Sequence, residues 1–174
     1  YILLGETVDD AVGESFDKVA KLLGLGYPGG PMIEKKALNG CSSTFKLPHP
    51  LEFEKSLNFS FSGIKTAVSL LIKKQDHLDE QIIKNIASSF QSKIIEILLK
   101  RTTLTLEILK EKGYEIKDVA IVGGVAANQK IKKAFVDLCK INNCHFVLPP
   151  KDLCGDNAAM IAWACLQRYK KNIK

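Results

Sequence analysis

Carboxylates and glycines stand in this 174-residue chain at spacings that packing alone does not require. Asp10, Glu14 and Asp17 recur four and three residues apart, which places them on one face of a helix. Such an acidic stripe can serve a site, and it is also the pattern of a solvated helix surface. Tyr27-Pro28-Gly29-Gly30 follows, where missing side chains let backbone approach a ligand or another segment closely. Farther on, Gly123-Gly124-Val125-Ala126-Ala127-Asn128 comes directly after the apolar run Val119-Ala120-Ile121-Val122. Glycines between a strand and a helix leave backbone N–H groups at a helix start, a geometry that holds phosphates and other polar groups. The run matches neither the dinucleotide fingerprint nor the phosphate loop with its Lys-Ser/Thr ending. Asn128 offers a donor and an acceptor, suited to a ribose or base or to a hydrogen bond within its own helix start. Asp156 falls at a strand-loop-helix junction, where its carboxylate can ligate a metal or cap the last helix.

The elements that must position these groups follow from hydrophobic periodicity. Residues 1–4 read as a short strand, 9–25 as a helix capped by Thr7 in a capping-box pattern, and 30–38 as a second helix. Residues 40–55 have no period, so His49 between two prolines reads as a surface loop residue. Residues 59–63 alternate apolar with small polar types like a half-buried strand, and residues 64–73 return to helical spacing. A long apolar face through Ile82, Ile86, Phe90, Ile94 and Ile97 predicts one long or two abutting helices over 78–112, all core. A buried parallel strand at 119–122, a helix to Cys139, a second strand at 145–148 and a final helix over 158–169 complete an α/β pattern. Trp163 on that last helix reads as core or as an interface anchor.

Composition bounds the class. The length favours one domain with a real core. Lys and Arg number 25 against 19 Asp and Glu, with pI ≈ 9.0, which suits an anionic partner such as RNA. Five cysteines, an odd number with no C-x-x-C pair, argue against a disulfide framework or zinc knuckle and for a reducing, cytoplasmic setting. No apolar run approaches the length of a membrane span, and the opening residues run straight into acidic sequence, unlike a signal peptide. The abrupt strand-like start without Met reads as the beginning of a piece of a longer chain.

Five blocks carry a resemblance: residues 5–18, Tyr27-Pro28-Gly29-Gly30-Pro31, residues 59–67 around Phe59-Ser60-Phe61-Ser62-Gly63, Gly123-Gly124-Val125-Ala126-Ala127-Asn128, and residues 156–162 beginning Asp156-Asn157. In this order they resemble the tRNA threonylcarbamoyladenosine synthase family, the TsaD/Kae/Gcp group, across essentially the whole chain. The resemblance implies an actin-like, Hsp70-like, sugar-kinase-like (ASKHA, RNase H-like) α/β fold whose two lobes clasp a nucleotide-like ligand. Residues 1–174 would be the C-terminal lobe without its first hairpin, with a mostly helical insertion around 31–112 and the N-terminal lobe absent. The family's His-x-x-x-His metal pair and Ser-Gly-Gly-His hairpin precede the point where this sequence begins, and His49, His77 and His145 do not replace them.

Position by position, the resemblance implies substrate contacts at Asp17, Gly30 and Asn128, with Gly123 and Gly124 amides holding the adenosine half. It implies a metal-binding aspartate at Asp156 and assigns no catalytic residue. The implied reaction moves an L-threonylcarbamoyl group from threonylcarbamoyl-AMP to N6 of the adenosine 3′ to the tRNA anticodon. The implied cofactor is one divalent metal, iron or zinc, beside the AMP- or ATP-like moiety of the substrate. Implied partners are tRNA and helper proteins that include a paralogous ASKHA subunit and an ATPase, with no membrane. This stretch alone is expected to bind nucleotide weakly and to be inactive. The alternative is a non-catalytic ASKHA scaffold subunit, against which stands the joint retention of Asp17, Asn128 and Asp156. A protease reading finds no His-Glu-x-x-His and no Ser/His/Asp or Cys/His arrangement.

Overall fold

A computed structural model describes residues 1–155 and 157–173. Helix α1 (Val12–Leu22) turns Phe16, Val19 and Ala20 inward at helical spacing, and Leu23 just after it is also buried. α2 (Gly29–Ala37) buries Ile33 and Ala37, and α3 (Ser62–Lys73) buries Ile64 and Val68. α4 (Glu80–Glu111) is one continuous 32-residue helix whose cap, Asp79, accepts from Ile82 N at 2.7 Å. Thr102 and Thr105 do not break it, because each hydroxyl donates to the carbonyl four residues earlier, Leu98 and Arg101. α4 packs against α2, α3 and α5, and α1 packs against α2 and α3. The shared core is apolar, and the edge-on pair Phe16–Phe90 with centroids 5.1 Å apart sits within it.

Strand β1 (Asp118–Ala120) pairs in parallel with β2 (His145–Val147), with Val119 opposite Phe146, and α5 (Gln129–Ile141) connects them. Short 3-10 turns cover Gly124–Ala127 and Lys151–Leu153, and α6 (Ala158–Lys170) ends the described chain. The architecture is therefore α/β, helices around a small parallel sheet. Among the described residues no helix is long and apolar enough to cross a membrane.

Several sequence expectations yield to tertiary context. Residues 1–4 form no strand, because no second strand among the described residues lies beside them to take up their backbone groups, and their side chains stay exposed. Residues 59–63 keep one bridge, Thr7 with Phe59, before α3 begins at Ser62. Asp9 explains the early start: its carboxylate accepts from Phe61 N, Ser62 N and both the Ser60 and Ser62 hydroxyls, meeting the orphan donors of the α3 N-terminus. Thr7 does not cap α1; its hydroxyl donates to the Asp10 carbonyl, and the N-cap position is Ala11. The 119–122 run is not fully buried either, since the strand stops at Ala120 and Val122 is 71 % exposed. α6 has no buried residue, so Trp163, 63 % exposed, is not core.

The 40–55 loop runs along α4, with most of its residues exposed and Leu47 buried. Arg101, inside the face expected to be only apolar, is buried and donates to the carbonyls of Leu51, Glu54 and Ser56, which solvate its charge in place of water. That pins the loop and covers His49, whose side chain is 2 % exposed with Nδ1 3.1 Å from Glu96 Oε1.

Burial works against the Asp9 charge, but donation from Phe61 N and from the Ser60 and Ser62 hydroxyls outweighs it and holds the pKa at about 2. A carboxyl held below its unfolded value adds stability that is complete above the ordinary carboxylate pKa and disappears as pH falls toward about 2. Asp9→Asn is therefore expected to lower stability at neutral pH and to flatten the acid limb in that window, read by denaturant unfolding at a series of pH values. An acid limb unchanged by the substitution would contradict the assignment.

Candidate functional site

A largely apolar cleft of about 450 Å³ opens between α1, α2 and the turn that follows β1. α1 contributes Val12, Gly13, Phe16 and Asp17; the α2 start contributes Pro28, Gly30, Pro31 and Glu34; the β1–α5 turn contributes Val122 to Val125, Ala127 and Asn128. The cleft lies beyond the carboxyl end of β1, the side of an α/β sheet on which ligands collect. Asp17, Gly30, Gly123, Gly124 and Asn128, all singled out in the sequence, meet here.

Close approach of two helices builds the floor. Asp17 Oδ1 accepts from Gly29 N at 2.7 Å and ties the first turn of α2 to α1. A Cβ on Gly29 would stand 2.6 Å from Asp17 Cα and 2.6 Å from the Phe16 carbonyl oxygen, so only glycine fits. Gly30, one residue on, has nothing within 4 Å of the same position and faces open space. Gly123 has φ +88, a conformation that suits glycine, and it swings the chain from β1 into the 3-10 turn. Val125 of that turn reaches over Gly13 of α1, 3.6 Å from its absent Cβ.

The α5 start differs from the expectation. The glycines do not open a helix directly; four residues of 3-10 turn intervene, and Asn128 is the N-cap of α5. Its Oδ1 accepts from Ile131 N at 3.0 Å and its Nδ2 donates to the buried Gln91 Oε1 at 2.8 Å. Asn128, 7 % exposed, thus forms the helix-local bond and still lines the cleft. The next donor, Gln129 N, is taken by Glu34 Oε1 at 2.6 Å, a carboxylate seated at the positive end of α5. Gly30, Gly124 and Val125 keep N–H groups with no protein acceptor among the described residues.

The sequence reading missed Glu34, whose only signal was its place four residues beyond Gly30, and Gln91, hidden within an apolar helical face. Asp156 lies outside the described residues. The α6 cap is Asn157, whose Oδ1 accepts from Met160 N. Among the described residues no three His, Cys, Asp or Glu side chains converge as a metal site would require.

A family model described as TsaD, tRNA N6-adenosine threonylcarbamoyltransferase, matches residues 1–163. This chain belongs to the TsaD family. Proteins named tRNA N6-adenosine threonylcarbamoyltransferase resemble it at 47 % identity in Thermosipho africanus, over 98 % of the chain and 50 % of the relative. The same name is carried by relatives in Wolbachia pipientis wMel, 45 % identical over 99 % of the chain and 50 % of the relative, and Methylocapsa acidiphila, 43 % identical over 97 % and 48 %. The chain therefore spans about half the length of the curated relatives it matches.

In this TsaD-family chain the two adjacent glycines should respond oppositely to a methyl group. Gly29→Ala is expected to cost about 2 kcal/mol or more by forcing α1 from α2, while Gly30→Ala leaves stability within about 1 kcal/mol. Chemical denaturation of both variants checks this, and equal losses would contradict the close-approach geometry.

Proposed function

We propose that the chain carries the adenylate-binding wall of a tRNA N6-adenosine threonylcarbamoyltransferase. The observation that supports this best is the mixture of groups around the cleft. Two carboxylates, Asp17 and Glu34, stand beside apolar side chains and backbone N–H groups that are unpaired among the described residues, and among those residues no basic side chain lines the space. Carboxylates repel phosphate but accept from ribose hydroxyls, and the apolar walls suit a purine ring. The N–H groups of Gly30, Gly124 and Val125 are left for phosphate or carbonyl oxygens.

The reaction so supported is an acyl transfer. The N6 amine of adenosine attacks the carbamoyl carbonyl carbon, the bond from that carbon to the phosphate oxygen breaks, AMP leaves, and the amine gives up a proton. Two demands fall on the protein: holding both partners at attack distance and steadying charge that grows on oxygen. Fixed N–H donors meet the second demand without reorganising, because Gly29 and Asn128 lock the turns that bear them. Glu34 neutralises the α5 start, so the donors that remain free belong to the α2 start and the 3-10 turn.

A divalent metal is part of the family reading, with Asp156 as its ligand. The described residues do not themselves make a donor set for it, so the chain's share would rest on Asp156. The tRNA acceptor likewise belongs to the reading taken from the family, and it accords with a net charge of +6.

Asp17→Asn retains an oxygen for Gly29 but loses the charge and the second acceptor. AMP affinity by calorimetry is expected to fall about tenfold, with the unfolding midpoint little changed. Unchanged affinity would remove Asp17 from the site. Threonylcarbamoyl transfer itself is tested by nucleoside analysis of tRNA incubated with the full-length protein and threonylcarbamoyl-AMP, where absence of the modified adenosine would overturn the reading.

A further inference from the structure

We propose that Tyr27 and Lys21 form a platform on which one unstacked base of the acceptor RNA docks, on the far side of Asp17 from the cleft. The inference rests on the reading of the cleft as the place where an adenosine in RNA is acylated. Asp17 lines a second cavity of about 480 Å³ with Lys18, Lys21, Gly24, Gly26 and Tyr27, so the two spaces share a wall.

Tyr27 is 83 % exposed and adds little to the core. Its backbone is nonetheless held on both sides: Gly24 N donates to Lys21 O at 3.1 Å, Leu25 N to Ala20 O at 2.9 Å, and Gly29 N to Asp17 Oδ1 at 2.7 Å. A ring presented from fixed backbone loses little entropy when a ligand stacks on it. Gly24 and Gly26 have nothing within 4 Å of where a Cβ would stand, which leaves room beside the ring. Lys18 is occupied by Asp10 at 2.8 Å and Glu14 at 2.7 Å. Lys21 makes no ion pair among the described residues and is available to a phosphate.

An aromatic face beside a free ammonium is how proteins hold single-stranded nucleic acid: the ring takes a base of any identity and the cation takes the backbone. A peptide partner would want a continuous apolar floor, whereas here a single ring stands among lysines and a carboxylate. The base on Tyr27 belongs to a nucleotide beside the target, since the target adenosine itself must reach past Asp17 to the acyl carbon.

Fluorescence anisotropy with an anticodon stem-loop RNA bearing unmodified adenosine 3′ to the anticodon tests the platform on the full-length protein, with AMP binding measured in parallel. Tyr27→Ala is expected to weaken RNA binding about 10-fold, and Tyr27→Phe, which keeps the ring, to stay within about 2-fold of the parent. Lys21→Ala should lower the slope of log affinity against log salt by about 0.7. AMP affinity should be the same in all three. RNA affinity unaffected by Tyr27→Ala overturns the proposal, and so does loss of a protein partner with RNA binding intact. Should AMP fail to bind the parent while RNA binding still depends on Tyr27, the cleft reading falls and the platform stands.

Discussion

The contact between α1 and the first turn of α2 governs the rest of the structure. Gly29 lets the two backbones approach to a distance that excludes even a methyl group, and Asp17 locks that approach with one hydrogen bond. Because Phe16 lies beside Asp17 and packs edge-on against Phe90, the same approach joins the cleft to the long helix α4. A shift at this contact would move Gly30 and Glu34 together, and through Glu34 the start of α5. The cleft is therefore set by packing rather than by its own side chains.

A second lock acts from the opposite side. Asn128 joins the cap of α5 to Gln91 in the interior, so the turn after β1 is anchored to α4 as well. Buried amide pairs of this kind are favourable only when their partners are in place, which makes the turn intolerant of small displacements. Around the cleft, the N–H groups of Gly30, Gly124 and Val125 are among those without a protein acceptor among the described residues. Donors left open at a cleft mouth are available to a ligand in place of water.

Much of this was legible in the residue order. The helical faces of α1 and α4, the strand-turn-helix unit at β1 and the glycine pairs all follow from periodicity and from residues with special backbone freedom, and they fall where the structure has them. What escaped the sequence depends on partners far along the chain. Residues 1–4 look like a strand but find no neighbour among the described residues, and 59–63 gives way to a helix because Asp9, some fifty residues away, supplies the missing acceptors. Arg101 and Gln91 hid within an apolar pattern, since spacing reports which face is inward and not what the inward polar groups will meet. Asn128 was legible as a residue of consequence, but its two possible uses were not separable until Gln91 was seen beside it.

The most direct measurement is a titration of the isotopically labelled protein with AMP, followed by amide proton and nitrogen resonances. Gly30, Gly124 and Val125 should shift most, because their N–H groups are open, while Gln129, already held by Glu34, should move little. Shifts concentrated away from these three, or on Gln129 in their place, would contradict the account.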